Sequence, residues 1–267
     1  MTSVVIITKN EERFLQNCIN SVRPIALEII VIDNGSTDNT VPIAQKNNCI
    51  IYHSDDPSFS ARREIGLKAA KGDWIIYIDA DERVTKELAT EINTLTSANP
   101  KNYNTQPTTY ILPREDYYFG QKWPTSSPMH RLFFKPALKG WRGVIHETPK
   151  FEGMISHCKN PLLHLTHTDI DSMLTNTLSW SSHEARLRFD NNHPPIVWWR
   201  LIRVFLTAWW HSFITQKGYT AGTVGWIESI YQGCSSFITY AKLWELQNKG
   251  KITAAYQTIE KPYQQSD

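Results

Sequence analysis

Cysteine is scarce: Cys18, Cys49, Cys158 and Cys234 are the only four in 267 residues, far apart, with no CxxC pair and no framework spacing. That excludes a disulfide-stapled scaffold and suits a reducing compartment, where free cysteine behaves as a small core residue. Charge of one sign is lacking too. Twenty-eight Lys and Arg stand against 26 Asp and Glu, a net of +2, too small to suggest general nucleic-acid binding. No glycine-rich loop bearing Lys or Arg opens the chain, which speaks against nucleotidyl transfer. The first apolar run begins at Ser3 and leaves no space for a secretory leader, so the expected compartment is the cytoplasm. No uninterrupted apolar run reaches bilayer length. The longest candidate, Ile196 to Ile214, is broken by Arg200 and Arg203, each costing roughly 2.5–3.5 kcal/mol on insertion scales.

What the chain does contain is a series of short β-branched runs in its first third. Ser3–Ile7, Glu28–Ile32, Cys49–Tyr52 and Trp74–Ile78 alternate with amphipathic stretches, the pattern of βαβ units around a parallel sheet. A chain of this length can bury a substantial core as one enlarged α/β domain. Polar residues cluster where three of the runs stop: Thr8 to Glu12, Asp33 to Asp38, and Asp79-Ala80-Asp81. In open α/β sheets the ligand crevice lies at those carboxyl ends. Two carboxylates one residue apart suit a hard divalent cation, Mn²⁺ or Mg²⁺, that takes its other ligands from water and substrate phosphates. The same tripeptide also occurs in plain turns, just as Asn34-Gly35 reads as a turn and Asp38 as a helix cap. Glu12 and Arg13 read as solvated helix charges, and Glu82 and Arg83 as brackets of a turn into a helix near Thr85 to Thr96. Ala98 to Thr108 reads as a loop leading to a strand at Thr109–Leu112.

ITKNEE, VIDNGSTDNT, the arginine-bearing helix ahead of Gly72-Asp73-Trp74, and YIDADER follow in this order over residues 3–91. Together they resemble the nucleotide-sugar-binding half of an inverting family 2 glycosyltransferase of GT-A fold. Downstream, Arg131-Leu132-Phe133, Trp141 through Glu147, Pro161 through His164 and Tyr240 through Leu246 narrow the likeness. They are similar to the bacterial lipopolysaccharide core glucosyltransferases that add a β-1,4-linked glucose to an inner-core heptose. The resemblance implies a Rossmann-like α/β fold, its central sheet mostly parallel and flanked by helices. Residues 1–97 would form the nucleotide-sugar-binding half, 98–167 the acceptor-binding half of the same domain, and 168–267 a C-terminal helical, membrane-associated extension. The implied donor is a UDP-sugar, UDP-glucose, and the implied acceptor the lipopolysaccharide core. Two alternatives stay open: a polysaccharide or peptide acceptor, and a non-catalytic nucleotide-sugar-binding membrane protein.

Residue roles follow from the same likeness. Asp33 is expected to accept from uracil N3–H, with Thr8, Asn10 and Glu11 in the first strand-to-helix turn as further donor-binding residues. Arg63 takes the position of an arginine that usually precedes an asparagine in this family; here Glu64 follows instead. Asp81 is the expected direct metal ligand, while Asp79 binds metal through water or contacts the ribose. His164 is a candidate third ligand with a structural role as its equal alternative, and His167 a lesser one; Mn²⁺ tolerates imidazole better than Mg²⁺ does. Inverting transfer needs a group that takes the acceptor's hydroxyl proton. Glu147 is nominated, with His146 as competitor, and Trp141 and His146 are the acceptor-site candidates.

The last third carries a different pattern. Between Ile196 and Ile214, Arg200, Arg203, Thr207 and His211 recur at helical spacing opposite Trp198, Leu201, Ile202, Phe205, Trp209 and Phe213. A wide apolar face bordered by arginine and tryptophan describes a helix lying in a membrane interface, here the cytoplasmic face of the bacterial inner membrane. A helix packed on the catalytic domain or on a second copy is the alternative. A second helical stretch, Ala221 to Leu246, is placed to pair with the first.

Overall fold

A computed structural model of the chain describes residues 1–56, 58–143 and 148–263. They form two compact units, Met1–Tyr117 with Thr125–Thr166, and Tyr118–Pro124 with His167–Asp267. The first opens with β1 (Thr2–Thr8), α1 (Leu15–Val22), β2 (Ala26–Asp33), α2 (Thr40–Lys46), β3 (Ile50–His53), α3 (Phe59–Ala69) and β4 (Trp74–Asp79). It continues through β5 (Glu82–Val84), α4 (Lys86–Leu95), β6 (Pro107–Leu112), β7 (Arg114–Tyr118) and, after β8 (Gln121–Ser126), which begins within the second unit, β9 (Met129–Phe134). It closes with β10 (Leu138–Arg142), β11 (Thr148–Phe151), β12 (Met154–His157) and β13 (Leu162–His164).

The main sheet has the order β12-β6-β9-β4-β1-β2-β3. β1 pairs parallel with β2 and β4, and β2 with β3, as the βαβ pattern requires. Beyond β4 the sheet becomes mixed, because β9 runs against both β4 and β6. β1 is buried along its whole length, which is why it reads as a continuous apolar run rather than an alternating one. Alternation survives in where the side chains go. Val4, Ile6, Ile76 and Ile78 join the core under α1, while Val5, Ile7, Ile75 and Tyr77 join the core under α3. α1 meets the first core with Leu15, Cys18, Ile19 and Val22, a single helical stripe. α3 lies close against β1 because Gly66 has no side chain; a Cβ there would stand 2.5 Å from Val5 Cγ1. A smaller sheet, β5-β13-β7-β8, and the pair β10-β11 complete the strands among the described residues.

The second unit is helical: α5 (Ile170–Asp190), α6 (Trp198–Trp210) and α7 (Gly222–Glu260). α7 packs against both α5 and α6, with Gly233 admitting the Phe205 ring. It runs on well past Leu246, where the sequence pattern fades. No residue of α6 is buried. Among the described residues no helix is long and apolar enough to cross a membrane.

Candidate active site

The crevice begins where β1, β2 and β4 stop. Register sets Thr8 beside Asp33 and Ile7 beside Asp79, so three strand ends stand together. The loops beyond them are laced by their own polar groups. Asn10, at φ 56°, accepts from the Thr37 amide at 2.8 Å and donates its own amide to Ser36 Oγ at 2.9 Å. Asp38 accepts from the amides of Glu12 and Thr40, both at 3.0 Å, so it holds the first loop as well as the start of α2. Asp33 is buried, accepts from the Gly35 and Ser36 amides at 3.2 Å, and lies 3.3 Å from His53 Nδ1. Thr8 Oγ1 is buried with no hydrogen-bond partner among the described residues. An unpaired buried hydroxyl is costly, and a ligand that bonded it would recover that cost.

Arg131 of β9 is enclosed between two carboxylates. Its Nη2 donates to Asp79 Oδ2 at 2.5 Å and to Glu82 Oε1 at 2.6 Å. Glu82 Oε2 accepts from the Asp79 amide at 2.9 Å, and Arg114 Nη1 stands 3.6 Å from Glu82 Oε1. Burial works against a charge on Asp79, yet Arg131 and Arg63 hold its carboxyl well below the usual range. Burial pushes Glu82 the other way, upward.

The second acid of the tripeptide turns to a different partner. Asp81 Oδ2 is 3.2 Å from His164 Nε2, while Asp116 Oδ1 lies 2.7 Å from His164 Nδ1. Pairing of β13 with β5 and β7 sets His164 opposite Glu82 and Asp116. Asp116 also accepts from Ser127 Oγ at 2.6 Å and pairs with Arg114 Nε at 3.1 Å. Burial opposes a charge on His164, but Asp116 and Asp81 outweigh it and push its pKa up to about 9. Glu11 is pushed up to about 7, by burial first and then by Asp81, Asp79 and Asp38. A divalent cation would relieve this concentration of negative charge.

The donor set fits such an ion. Without its proton, His164 Nε2 stands with Asp81 Oδ2 as a nitrogen–oxygen ligand pair, and the Asp116 carboxylate fixes the ring from behind. Among the described residues no cluster of three His, Cys, Asp or Glu side chains is arranged to hold a metal. Water and phosphate oxygens would complete the shell, as is usual for Mg²⁺ sites.

Of the residues nominated from sequence, Thr8, Asp33 and Asp79 come together at the strand ends, with Glu11 near enough to Asp79 and Asp81 to feel their charge. Arg63 Nη2 is 3.9 Å from Asp79 Oδ1, and its guanidinium lies 4.9 Å from the Trp141 ring. Trp141 itself packs edge-on against Tyr77 and Phe133. Asn10 spends its carbonyl on the neighbouring loop. Glu147 and His146 lie outside the described residues. His167 belongs to the second unit, where it is bonded to buried Glu228 at 2.9 Å.

Glu82 and Arg83, expected to bracket a turn, do more than that. Glu82 is fully buried on Arg131, and Arg83 donates to the carbonyls of Ala80 and Glu82 at 2.8 and 2.6 Å and to that of Phe14 at 3.0 Å. Arg131, Arg114 and Asp116 received no site role from sequence. One signal was legible: a lone arginine inside the apolar run Met129–Phe134, since a buried arginine needs carboxylates.

A mixed α/β sheet with acids gathered at the carboxyl ends of its parallel strands is the arrangement expected of a GT-A-like glycosyltransferase. The chain belongs to glycosyl transferase family 2, which it matches over residues 3–157, and it is a glycosyltransferase that takes its sugar from a nucleotide-sugar donor. An uncharacterized glycosyltransferase of Rickettsia typhi is 28% identical over 275 residues, covering 95% of this chain and 90% of its own. A lipopolysaccharide core biosynthesis glycosyltransferase of Rhizobium meliloti is 24% identical, covering 91% and 92%. Among solved structures, Staphylococcus aureus TarS 1–349 matches with a TM-score of 0.43 at 13% identity, over 93% of this chain and 91% of that one. Glucosyl-3-phosphoglycerate synthase of Mycobacterium tuberculosis, in complex with Mn²⁺, UDP and glucosyl-3-phosphoglycerate, matches with a TM-score of 0.37 at 18% identity, over 52% and 58%.

Two outcomes are expected from this geometry. Arg131→Met strands Glu82 and Asp79 without a counter-charge and should cost about 3–5 kcal/mol, read as a fall in the urea midpoint; a loss below about 1 kcal/mol would contradict the network. The second concerns pH. Because folding raises the His164 pKa from 6.5 to about 9, its stabilisation is complete below pH 6.5 and lost as pH rises through about 9. Melting of the metal-free protein across that window should fall, and His164→Gln should flatten this part of the profile.

Proposed function

We propose that the protein transfers glucose from UDP-glucose, with inversion, to a heptose of the lipopolysaccharide inner core. The observation that carries the chemistry is the pairing of Asp81 with His164 beside the Asp79–Arg131–Glu82 network. Asp81 and His164 hold Mn²⁺ or Mg²⁺, with Asp116 orienting the imidazole. When bound, the ion stabilises the negative charge that develops on the departing diphosphate. Asp79 acts through the arginines it orders. Thr8, Glu11 and Asp33 meet the uridine, and Arg63 the diphosphate. Glu147 takes the proton of the acceptor hydroxyl as its oxygen bonds to the anomeric carbon, on the face opposite the breaking bond to UDP. The motifs downstream of residue 130 and the lipopolysaccharide-core relative support the acceptor class.

The helical unit supports work at a membrane surface. Trp199, Ile202, Leu206 and Trp210 form an exposed stripe on α6, and Arg200 and Arg203 each stack on the Trp199 ring. From Asn191 to Ile227 the chain carries no acid, so this face suits anionic lipid.

Incubating the protein with a panel of UDP-sugars, Mn²⁺ and truncated core lipopolysaccharide, and reading product mass, tests the reaction. Product on a peptide or another glycan alone would move the acceptor class; no transfer or hydrolysis of any nucleotide sugar would favour a binding protein. Asp81→Ala should abolish metal-supported UDP binding, whereas Glu147→Gln should keep it and lose turnover; full turnover by Glu147→Gln would remove Glu147 as the base. For the surface, the full chain should float with phosphatidylglycerol vesicles, and Arg200→Glu/Arg203→Glu should sink. Equal flotation of both would reject an anionic contact through α6.

A further inference from the structure

Glu64 stands where the family usually has asparagine, and it has a specific use. It lies on α3 one turn after Ser60, and these two side chains hold β10 and the residue just past its end. Glu64 Oε1 accepts from the Trp141 amide at 2.7 Å, and Ser60 Oγ donates to the Gly143 carbonyl at 2.5 Å. Room for the carboxylate exists only because position 140 is glycine. A Cβ on Gly140 would stand 2.3 Å from Glu64 Oε1, and the backbone there, at φ +125°, disfavours any other residue.

Trp141 in turn encloses Arg63. Trp141 Nε1 donates to Tyr77 Oη at 3.3 Å, and Tyr77 Oη donates to the Arg63 carbonyl at 3.0 Å. The two rings meet edge to face, centroids 5.0 Å apart, and the Arg63 guanidinium lies 4.9 Å from one and 5.2 Å from the other. Its Nη2 is 3.9 Å from Asp79 Oδ1. Glu64, Trp141, Arg63 and Asp79 thus form a continuous series of contacts from helix α3 to the end of β4.

We propose that Glu64 is a positioning residue for the donor: by holding the Trp141 amide it sets the indole that orients Arg63 toward the diphosphate. The inference rests on the UDP-sugar assignment above. A guanidinium stacked on aromatic faces keeps its planar fork aimed, which is the arrangement that suits phosphate oxygens. Asparagine is one methylene shorter and should lose the Trp141 amide bond; glutamine keeps both the length and an accepting oxygen.

The test compares Glu64→Ala, Glu64→Asn and Glu64→Gln in the full chain, using UDP with Mn²⁺ by calorimetry, donor and acceptor KM, and hydrogen exchange at the Trp141 amide. Glu64→Ala and Glu64→Asn should weaken UDP by about tenfold and raise donor KM alike, with acceptor KM unchanged, as loss of one oriented cation–aromatic contact predicts. Trp141 exchange should quicken in both, and Glu64→Gln should restore all three readouts. Quickened exchange with wild-type UDP affinity would overturn the proposal while leaving the donor assignment intact, as would a Glu64→Gln variant as defective as Glu64→Ala. Absence of UDP binding by the unsubstituted protein would instead sink the donor assignment, and this inference with it.

Discussion

One buried guanidinium governs the site. Arg131 is shut away from water on β9, and a charge so placed is tolerated only where carboxylates and good geometry compensate its desolvation. Asp79 at the end of β4 and Glu82 at the start of β5 provide that compensation, so a single residue ties three strands. The consequence falls on the two residues between them. With Asp79 and Glu82 both pinned to Arg131, Ala80-Asp81 must form a turn, its Asp81 carbonyl accepting from the Leu165 amide at 2.9 Å. The Asp81 carboxylate is thereby delivered to His164.

Charge is sorted along the crevice by the same constraint. Arg131 and Arg114, on strands, and Arg63, on α3, are matched by Asp79, Glu82 and Asp116, while Asp81 and Asp79 add to the burial that raises the Glu11 pKa. His164, whose pKa is raised by Asp116 and Asp81, lies between those two carboxylates. The two acids of Asp79-Ala80-Asp81, similar on paper, therefore differ in kind. One pairs with Arg131 and Arg63, and the other with His164.

Much of this was legible in the residues. The runs Ser3–Ile7, Glu28–Ile32, Cys49–Tyr52 and Trp74–Ile78 are strands, and the polar clusters at their ends do converge, because β-branched periodicity and the ends of parallel strands are local signals. The reversal of β9 was not legible. Direction within a sheet depends on which neighbour a strand finds, and Met129–Phe134 carries no mark of it. The partners of Glu82 and Asp116 were hidden for the same reason, since Arg131 and His164 reach them across sequence gaps that no short motif spans. Glu64 read as a departure from the family pattern, and only the close approach of Gly140 reveals what it holds.

The sequence alone determined the class, through its motifs: alternating apolar runs and polar strand ends indicate an α/β sheet with a ligand crevice, and ITKNEE, VIDNGSTDNT and YIDADER in that order mark a family 2 glycosyltransferase. It also determined that the last third would be helical and would carry a wide aromatic face, since helical periodicity is written in neighbouring residues. Tertiary structure alone decided which carboxylate serves which partner. Hydrophobic pattern is a property of a segment, but an ion pair is a property of two segments, and its geometry exists only once β4, β5, β9 and β13 lie side by side.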